Sequence, residues 1–352
     1  MANYVQLHLL TSYPPANLNR DDLGQPKTAR FGGAERLRIS SQSLKRAWRT
    51  SEYFQEQLAG KMGKRTKLIG TEIVLPALLA GGIRQKQAEE WSKAIAAEFG
   101  KLKSEKGKEQ EIEQLVHIAP EEEKAVRDLV AVLIAEQRAP KPEELGALLQ
   151  RQTAVDIAMF GRMLASKTQF NTEAAVQVAH ALGVHASAVE EDYFTAVDDL
   201  KPKGDDAEDA GAGHVGEAGF AAAVFYQYIC IDRDLLLKNL GGDEELAARA
   251  LRALTAAALR VAPKGKQNSF GSRAYAHFAL AEKGSQQPRS LSLAFLRPVS
   301  GSDYGEEARQ VLLRVRENMD SVYGKCADEH VLFDVFKGEG SEEHLLNFVA
   351  EV

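Results

Sequence analysis

The chain has 352 residues, a length that fits one elaborated domain or two. Hydrophobic residues make up 44% and charged residues 27% of it, a composition that excludes a disordered or fibrous protein. No apolar run reaches the ~18 residues of a membrane span, the amino terminus lacks a secretory-signal pattern, and the two cysteines form no CxxC motif. We therefore expect a reduced, cytoplasmic protein that does not contact membranes.

Positive charge is concentrated near the amino terminus. Residues 1–50 contain eight basic and three acidic residues, a net charge of +5, whereas the whole chain carries −6 and the remaining residues therefore −11. A local excess of positive charge on an acidic chain is typical of a polyanion site. Charge alone leaves open the alternative of a solvated basic face without a ligand.

The first elements in chain order are a strand, a long loop and a second strand. Residues 3–11 alternate between apolar and polar side chains and predict a strand. Residues 12–35 contain prolines, glycines and a polar run, and they predict a long loop of the kind that often carries function. Residues 36–40 predict a short strand.

A basic amphipathic helix is predicted from Ser40 to Arg49. Ser40 or Ser41 can cap its start, and an apolar stripe marks the buried side. The polar side carries residues at spacings of three and four, namely Gln42, Lys45, Arg46 and Arg49. A capped helix start beside three cations suits phosphate oxygens, because backbone N–H groups and the helix dipole also favour an anion there.

The remainder of the chain predicts a helical insertion, an acidic protrusion and further strands and helices. Residues 60–185 are mostly helical in pattern, and residues 190–217 contain ten acidic residues and two lysines, too polar a mixture to bury a core. The later predicted elements are strands at 220–232, 272–280 and 290–297 and helices at 243–261 and 305–320. The resulting β-α-β-β-α-β-like skeleton predicts an α+β fold with a ferredoxin-like, RNA-recognition-like core, whose strand order the sequence leaves open.

Motifs for catalysis, metals and nucleotides are weak or missing. Residues 211–216 match the letters GxGxxG, but no apolar strand precedes them, so a dinucleotide site is not predicted. The acidic residues in 198–209 lack calcium-loop spacing, and the eight histidines include no HExxH pair. We therefore predict no catalytic residue, no metal and no cofactor.

Several short segments match one known protein family in the same order. They are 17–22 (NLNRDD), 31–33 (FGG), 38–47 (RISSQSLKRA), 155–158 (VDIA), 161–163 (GRM), 193–200 (YFTAVDDL), 214–216 (HVG), 224–226 (VFY), 239–242 (NLGG) and 266–267 (KQ). In these segments the chain resembles the CasC-type backbone subunit of the type I-E CRISPR Cascade complex. The resemblance covers roughly residues 1–50, 151–232 and 239–270 and is weak elsewhere.

The resemblance implies a hand-shaped, non-catalytic protein. A ferredoxin-like, RNA-recognition-like palm would comprise residues 1–58 and 220–352, helical fingers residues 59–189, and a β-hairpin thumb residues 190–219. Copies would stack into a helical filament along one CRISPR guide RNA (crRNA), together with other Cascade subunits, and would present the guide for pairing with target DNA in antiviral defence. Such a protein should hold phosphate and sugar, because base pairing reads the sequence.

The predicted RNA-binding residues come from the charge pattern and from the resemblance. The amino-terminal loop and helix supply Arg20, Lys27, Ser40, Gln42, Lys45, Arg46 and Arg49, and a later basic loop supplies Lys264, Lys266, Gln267 and Asn268. By resemblance, Met163, Phe194 and Thr195 wedge between bases, and His214 lies on the returning thumb strand. A core methionine and a hydrophobic anchor at the hairpin root remain alternatives. Target DNA would meet cations of the fingers, for which the candidates are Lys101, Lys103, Lys106, Arg138 and Lys141.

A ribonuclease is the second function that the residues allow. Related backbone subunits of type III complexes cleave target RNA with an aspartate in a comparable loop, which makes Asp21 and Asp22 the residues to test. An acid beside Arg20 in a cationic loop is more often a salt-bridge partner that shapes the loop. A purely structural protein without nucleic acid is a third alternative, which the net charge of +5 in residues 1–50 disfavours.

Overall fold

The computed structural model describes residues 3–149, 154–196 and 214–351. The strands are β1 (Tyr4–Ala16), β2 (Thr28–Phe31), β3 (Ala34–Ile39), β4 (Lys64–Thr66), β5 (Val116–Ile118), β6 (Val176–Val178), β7 (Ala181–Gly183), β8 (Glu190–Ala196), β9 (His214–Asp232), β10 (Ala276–Gly284) and β11 (Glu329–Asp334). The α-helices are α1 (Ser41–Arg49), α2 (Glu52–Gln57), α3 (Leu75–Ala80), α4 (Gln85–Ala97), α5 (Pro120–Glu136), α6 (Pro142–Gly146), α7 (Val155–Phe160), α8 (Arg233–Asn239), α9 (Glu244–Arg260), α10 (Gln267–Phe270), α11 (Tyr304–Tyr323) and α12 (Glu342–Ala350). A π-helical segment spans Ile69–Val74, and short 3-10 turns span Thr168–Phe170 and Ser292–Phe295. Within these ranges, no helix is long and apolar enough to cross a membrane.

One antiparallel sheet organises most of the described chain. Its strand order is β11-β10-β1-β9-β7-β3-β2, and β6 and β8 also pair with β9. Strand β1 lies between β9 and β10, where Tyr4 pairs with Asp232 on one side and with Gly284 on the other. The sheet and the helices around it confirm the predicted α+β class.

Both faces of the sheet are covered. Val5, Leu7 and Leu9 of β1 are fully buried in a core that includes residues of α1, α9 and α12. Leu10, on the opposite face, packs in a second core with β10 and α11. Gln6 and His8 share that second face and are buried as well, because α11 and the Ser292–Phe295 turn cover it.

The insertion has a hydrophobic core of its own. This core contains Trp91, Ile95, Phe99 and Leu133 among residues drawn from 69–164, and β4 and β5 form a separate two-stranded sheet at its edge. The range 60–185 is less helical than predicted, since β6 and β7 near its end belong to the main sheet.

A long hairpin continues out of the sheet. Strand β9 has 19 residues, of which the last part pairs with β1 and the first part, His214 to Phe220, pairs with β8. Every residue of β8 is exposed, as a protruding hairpin requires. The acidic tip, residues 201–213, lies outside the described residues.

Several predicted elements are corrected. The predicted strand at 290–297 is wrong, because Leu291 and Phe295 are buried four residues apart on a 3-10 turn. The predicted loop at 12–35 contains the end of β1 and all of β2. Strand β11 and helix α12 were not predicted.

A buried ionic cluster joins β1, β10 and α11. Glu282 is fully buried and accepts hydrogen bonds from Arg289 and Arg316, each at 2.6 Å, while His8 Nε2 lies 3.2 Å from it. Burial raises the pKa of Glu282, but the hydrogen bonds from His8, Arg289 and Arg316 outweigh burial and hold that pKa well below its usual range.

Replacing Glu282 should therefore destabilise the fold. We expect Glu282→Gln to lower the free energy of unfolding by about 3 kcal/mol, since it leaves Arg316 without its carboxylate and Arg289 with Asp320 alone. Because the folded-state pKa is depressed, the stabilisation is complete above the unfolded value of about 4.3 and is lost as the pH falls below it. Urea denaturation at pH 7 and pH 3 measures both effects. Glu105→Gln, in an exposed pair with Lys108, is the matched control, and an equal loss in both variants would contradict the role of Glu282.

Candidate nucleic-acid interface

Helix α1 presents a basic side to solvent, as its sequence predicts. Ser40 is the N-cap, and its hydroxyl accepts a hydrogen bond from the Ser43 N–H at 3.3 Å. The Ser40 N–H in turn donates to Asn19 Oδ1 at 2.8 Å, which ties the helix start to the preceding loop. Leu44, Ala47 and Trp48 are buried. On the opposite side, Gln42 and Arg46 are exposed, whereas Lys45 and Arg49 are partly buried.

The basic side of α1 forms one wall of a cleft of about 190 Å³. Residues from α1, β4, β5 and the end of α7 line it, namely Gln42, Lys45, Arg46, Arg49, Arg65, His117, Phe160 and Gly161. Four of these eight residues, Lys45, Arg46, Arg49 and Arg65, are basic. We call this site the basic cleft.

Arg65 is a member of the basic cleft that the sequence did not reveal. It lies on β4, across the cleft from α1. Burial and the charges of Arg49 and Arg46 lower the pKa of Arg65, while Asp156 raises it. Burial and the charge of Arg65 likewise lower the pKa of Lys45. These shifts mean that the cations repel one another at close range, so an anion in the cleft would be stabilised.

Asp156 is the carboxylate that holds this arrangement together. It is fully buried at the start of α7, and its Oδ2 lies 2.7 Å from His117 Nε2 and 3.2 Å from an Arg49 guanidinium nitrogen. Its Oδ1 accepts the Gly63 N–H at 2.8 Å. Burial raises the pKa of Asp156, but the hydrogen bonds from His117, Gly63 and Arg49 lower it overall. One carboxylate thus balances one of the four cations.

Arg38 and His180 form a second polar group near Lys45 of the basic cleft. Arg38 donates to His180 Nδ1 at 2.8 Å. Burial and the charges of Arg38, Lys27 and Lys45 lower the pKa of His180. Lys27 and Lys45, both predicted as RNA-binding residues, are therefore close enough to His180 to act on the same imidazole.

The loop before β2 is shaped by Asp21. Its Oδ1 accepts the N–H groups of Leu23 and Gln25, both at 2.9 Å. The carboxylate therefore bonds to backbone, where the sequence had suggested a salt bridge. Arg20 on the same loop borders a cavity of about 440 Å³ that Ser43 and Gly265 also line.

The predicted basic loop from Lys264 to Asn268 packs against the amino-terminal loop. A Cβ at Gly265 would lie 2.2 Å from the Leu18 carbonyl oxygen, so only glycine allows this approach. Gln267 is oriented so that its side-chain carbonyl accepts the N–H groups of Ser272 and Arg273 at 3.1 and 3.2 Å. Gln267 therefore braces the loop, and Lys264 and Asn268 are exposed.

The residues predicted as wedges lie on separate elements. Met163 is 83% exposed, which contradicts the alternative of a core methionine. The neighbouring Arg162 is anchored by a buried ion pair with Glu122 at 2.7 Å, so the segment is fixed while the thioether faces solvent. Phe194 is 41% exposed, and its ring lies against Gly216 of the facing strand. Thr195 is exposed, and the side chain of His214 lies outside the described part of the chain.

Most candidate cations of the insertion are paired within it. Lys101 contacts Glu113 at 2.9 Å and Lys103 contacts Glu111 at 2.5 Å. Arg138 forms ion pairs with Glu136 and Glu144. These intramolecular pairs leave Lys106 and Lys141 as the stronger candidates among the five.

The comparisons with known proteins agree with one another. The family model described as CT1975-like protein matches residues 5–347. A solved structure titled "CRISPR RNA-guided surveillance complex, pre-nicking" contains a chain that is 30% identical, with a TM-score of 0.83 and 99% of each chain covered. A chain in a "CRISPR RNA-guided surveillance complex" has the same fold at 23% identity, with a TM-score of 0.74 over 99% of this chain and 100% of that one. No curated protein matches at a significant level.

Removing the charge of Asp156 should loosen the basic cleft. We expect Asp156→Asn to lower the free energy of unfolding by about 2–3 kcal/mol, because Arg49, His117 and Gly63 all lose a carboxylate partner in a buried position. Thermal and urea unfolding measure the loss. Asp128→Asn, which breaks an exposed pair with Lys124, is the control and should leave the midpoint unchanged. Equal stability of the two variants would remove Asp156 from this role.

Proposed function

The chain belongs to the CT1975-like protein family, whose model covers almost its whole length, and we propose that it is a non-catalytic guide-RNA-binding backbone subunit of a CRISPR surveillance complex. Within that class we propose the CasC type of the type I-E Cascade. The observation that carries the proposal is the basic cleft. Of its four cations, only Arg49 bonds to a buried carboxylate within the described ranges, that of Asp156, and a chain 30% identical over 99% of its length belongs to an RNA-guided surveillance complex.

The basic cleft suits contacts to RNA phosphates. Lysine and arginine side chains on a fixed helix and strand bind phosphate oxygens without reading base identity. A subunit that must accept guides of any sequence needs this kind of contact. Pairing between the guide and target DNA then supplies the specificity.

The proposed palm, fingers and thumb suggest how copies of the chain would assemble. The separate hydrophobic core of the insertion supports its role as fingers, and the exposed β8–β9 hairpin supports its role as a thumb. In this proposal the palm holds the guide, and the thumb crosses it towards the next copy. Exposed Met163 and the hairpin residues Phe194 and Thr195 would then displace bases. Other Cascade subunits would close the two ends of the filament.

The ribonuclease alternative has less support. Asp21 already accepts two backbone N–H groups, and such a carboxylate is committed to the shape of the loop. No group of three or more potential metal ligands occurs within the described ranges. Metal-dependent cleavage of a target RNA that disappears in an Asp21→Ala, Asp22→Ala variant would favour the enzyme.

Loss of one cation from the basic cleft should weaken RNA binding uniformly. We expect Lys45→Ala and Arg65→Ala each to reduce the slope of log K against log salt by about 0.7, the value for one phosphate contact to a single strand. Fluorescence anisotropy with several unrelated single-stranded RNAs measures the slope. Arg314→Ala is the control, since Arg314 is exposed on α11 at the opposite face of the sheet. A slope that matches the wild type in both cleft variants would exclude these residues as phosphate ligands.

Co-purification tests the proposal as a whole. The chain is expressed with and without neighbouring complex subunits, and any bound nucleic acid is extracted and sequenced. We expect short RNAs of uniform length with a shared repeat-derived flank and variable centres. A nucleic-acid-free protein, even with the other subunits present, would overturn the proposal.

A further inference from the structure

A second groove continues from the carboxyl-terminal end of α1. It has a volume of about 730 Å³. Its walls come from the α1–α2 junction, from the segment that follows α9, and from the residues just before β10. The side chains that matter for recognition are Tyr53, Arg260, Lys264, Arg273 and Tyr275.

Tyr275 offers an aromatic platform in this groove. The side chain is 62% exposed, although it immediately precedes the buried residue Ala276 that begins β10. The Arg260 guanidinium lies 5.3 Å from the ring centroid and covers one part of the ring. The ring borders both this groove and the adjoining cleft that Leu259 and Phe333 line.

Arg260, which contacts the Tyr275 ring, is itself held in place by neighbouring side chains. Arg260 Nε donates to both carboxylate oxygens of Glu342, at 2.8 and 2.9 Å, and another guanidinium nitrogen lies 3.4 Å from the Tyr53 hydroxyl. Because Arg260 is fixed by these bonds, the face of Tyr275 that it contacts is fixed as well. A ligand that stacks on the free face loses little additional entropy in ordering the ring.

Two cations beside the platform have no ion-pair partner in the described ranges. Lys264 and Arg273 are both exposed, and both line the groove. Glu52 also lines it, whereas the charge of Glu342 is balanced by Arg260. An aromatic face next to unpaired cations matches the two parts of a nucleotide, a flat base and a phosphate.

The groove is a neighbour of the cavity beside Arg20, which Asp21 and Asp22 also line. Lys264 is followed by Gly265, which borders the cavity beside Arg20 together with Ser43. Ser43 and Thr50 lie two turns apart on the same side of α1, about 10 Å along the helix axis, and Thr50 borders the second groove. A single strand that follows α1 from the Arg20 loop therefore reaches Tyr275.

We propose that this groove binds one nucleotide of single-stranded RNA, with the base stacked on Tyr275 and the phosphate held by Lys264 and Arg273. This inference rests on the proposed RNA-binding function and adds a base-binding position to it. A hydrophobic protein segment is a poorer fit, because it would leave both cations without an anion. The adjoining cleft of about 380 Å³, lined by Leu259, Phe333 and Val335, is more apolar than the groove. The two sites share Arg260 and Tyr275 as lining residues.

Affinity measurements on the full chain test the proposal. Anisotropy with a fluorescent single-stranded RNA should show that Tyr275→Ala weakens binding about 5- to 150-fold, the range for loss of one stacked base. Tyr275→Phe keeps the ring and should keep the affinity. Arg273→Ala should lower the salt slope by about 0.7. Tyr323→Ala, which removes a ring that is 86% exposed at the end of α11, is the control and should behave as the wild type.

The possible outcomes separate this inference from the proposed function. If Tyr275→Ala binds RNA as the wild type does while Lys45→Ala is weakened, the nucleotide site is overturned and the proposed function remains. If the unaltered chain binds no RNA, both fail. If Tyr275→Ala keeps its RNA affinity but changes self-association in sedimentation velocity, the groove is a protein-docking surface and the inference is overturned.

Discussion

The arrangement of the basic cleft depends on one buried carboxylate. Asp156 lies 39 residues from His117, 93 from Gly63 and 107 from Arg49 along the chain, yet it bonds to all three. A buried charge is tolerated only when its partners satisfy it. Helix α1, the β4–β5 edge and helix α7 are thus held around a single point, and this places the cations of α1 and β4 opposite one another. The mutual repulsion of those cations destabilises the folded state when no anion is bound.

Two of the buried acidic residues, Glu282 and Asp156, hold different parts of the fold together. Glu282 fixes the sheet to α11 through Arg289 and Arg316, on the face away from the basic cleft. Asp156 fixes the insertion to the sheet on the other side. The insertion also has a separate hydrophobic core, and the basic cleft lies where β4 and β5 meet α1. Under the proposed function, an RNA backbone in this cleft would contact both the insertion and α1.

Elements whose formation depends on residues close together in the sequence could be predicted from cap residues and apolar spacing. Helix α1 follows from its Ser40 cap and apolar spacing, and its bounds agree with the prediction to within one residue. Arg65 and Asp156 could not be placed, because their importance comes from contacts that are distant in sequence. The burial of His8 and Gln6 depends on α11, which follows them by about 300 residues. Strand β11 has only six residues, and its burial increases along the strand instead of alternating, so its periodic signal is weak. The roles of Phe194, Thr195 and His214 stay predictions from the resemblance alone.

The strand order also determines when β1 and α1 can first adopt their folded arrangement during translation. Strand β1 is among the first segments made, but its partners begin with β9 and end with β10, more than 200 residues later. At about 5–20 residues per second, translation leaves β1 unpaired for roughly 10–50 s. Helix α1 packs in the same core as β1, so its cations have no fixed orientation until that core is complete, whereas the insertion core consists of residues from one contiguous part of the chain. An incomplete nascent chain therefore cannot hold the basic cleft in its final arrangement, and under the proposed function the chain would bind RNA only after β9 and β10 have been made.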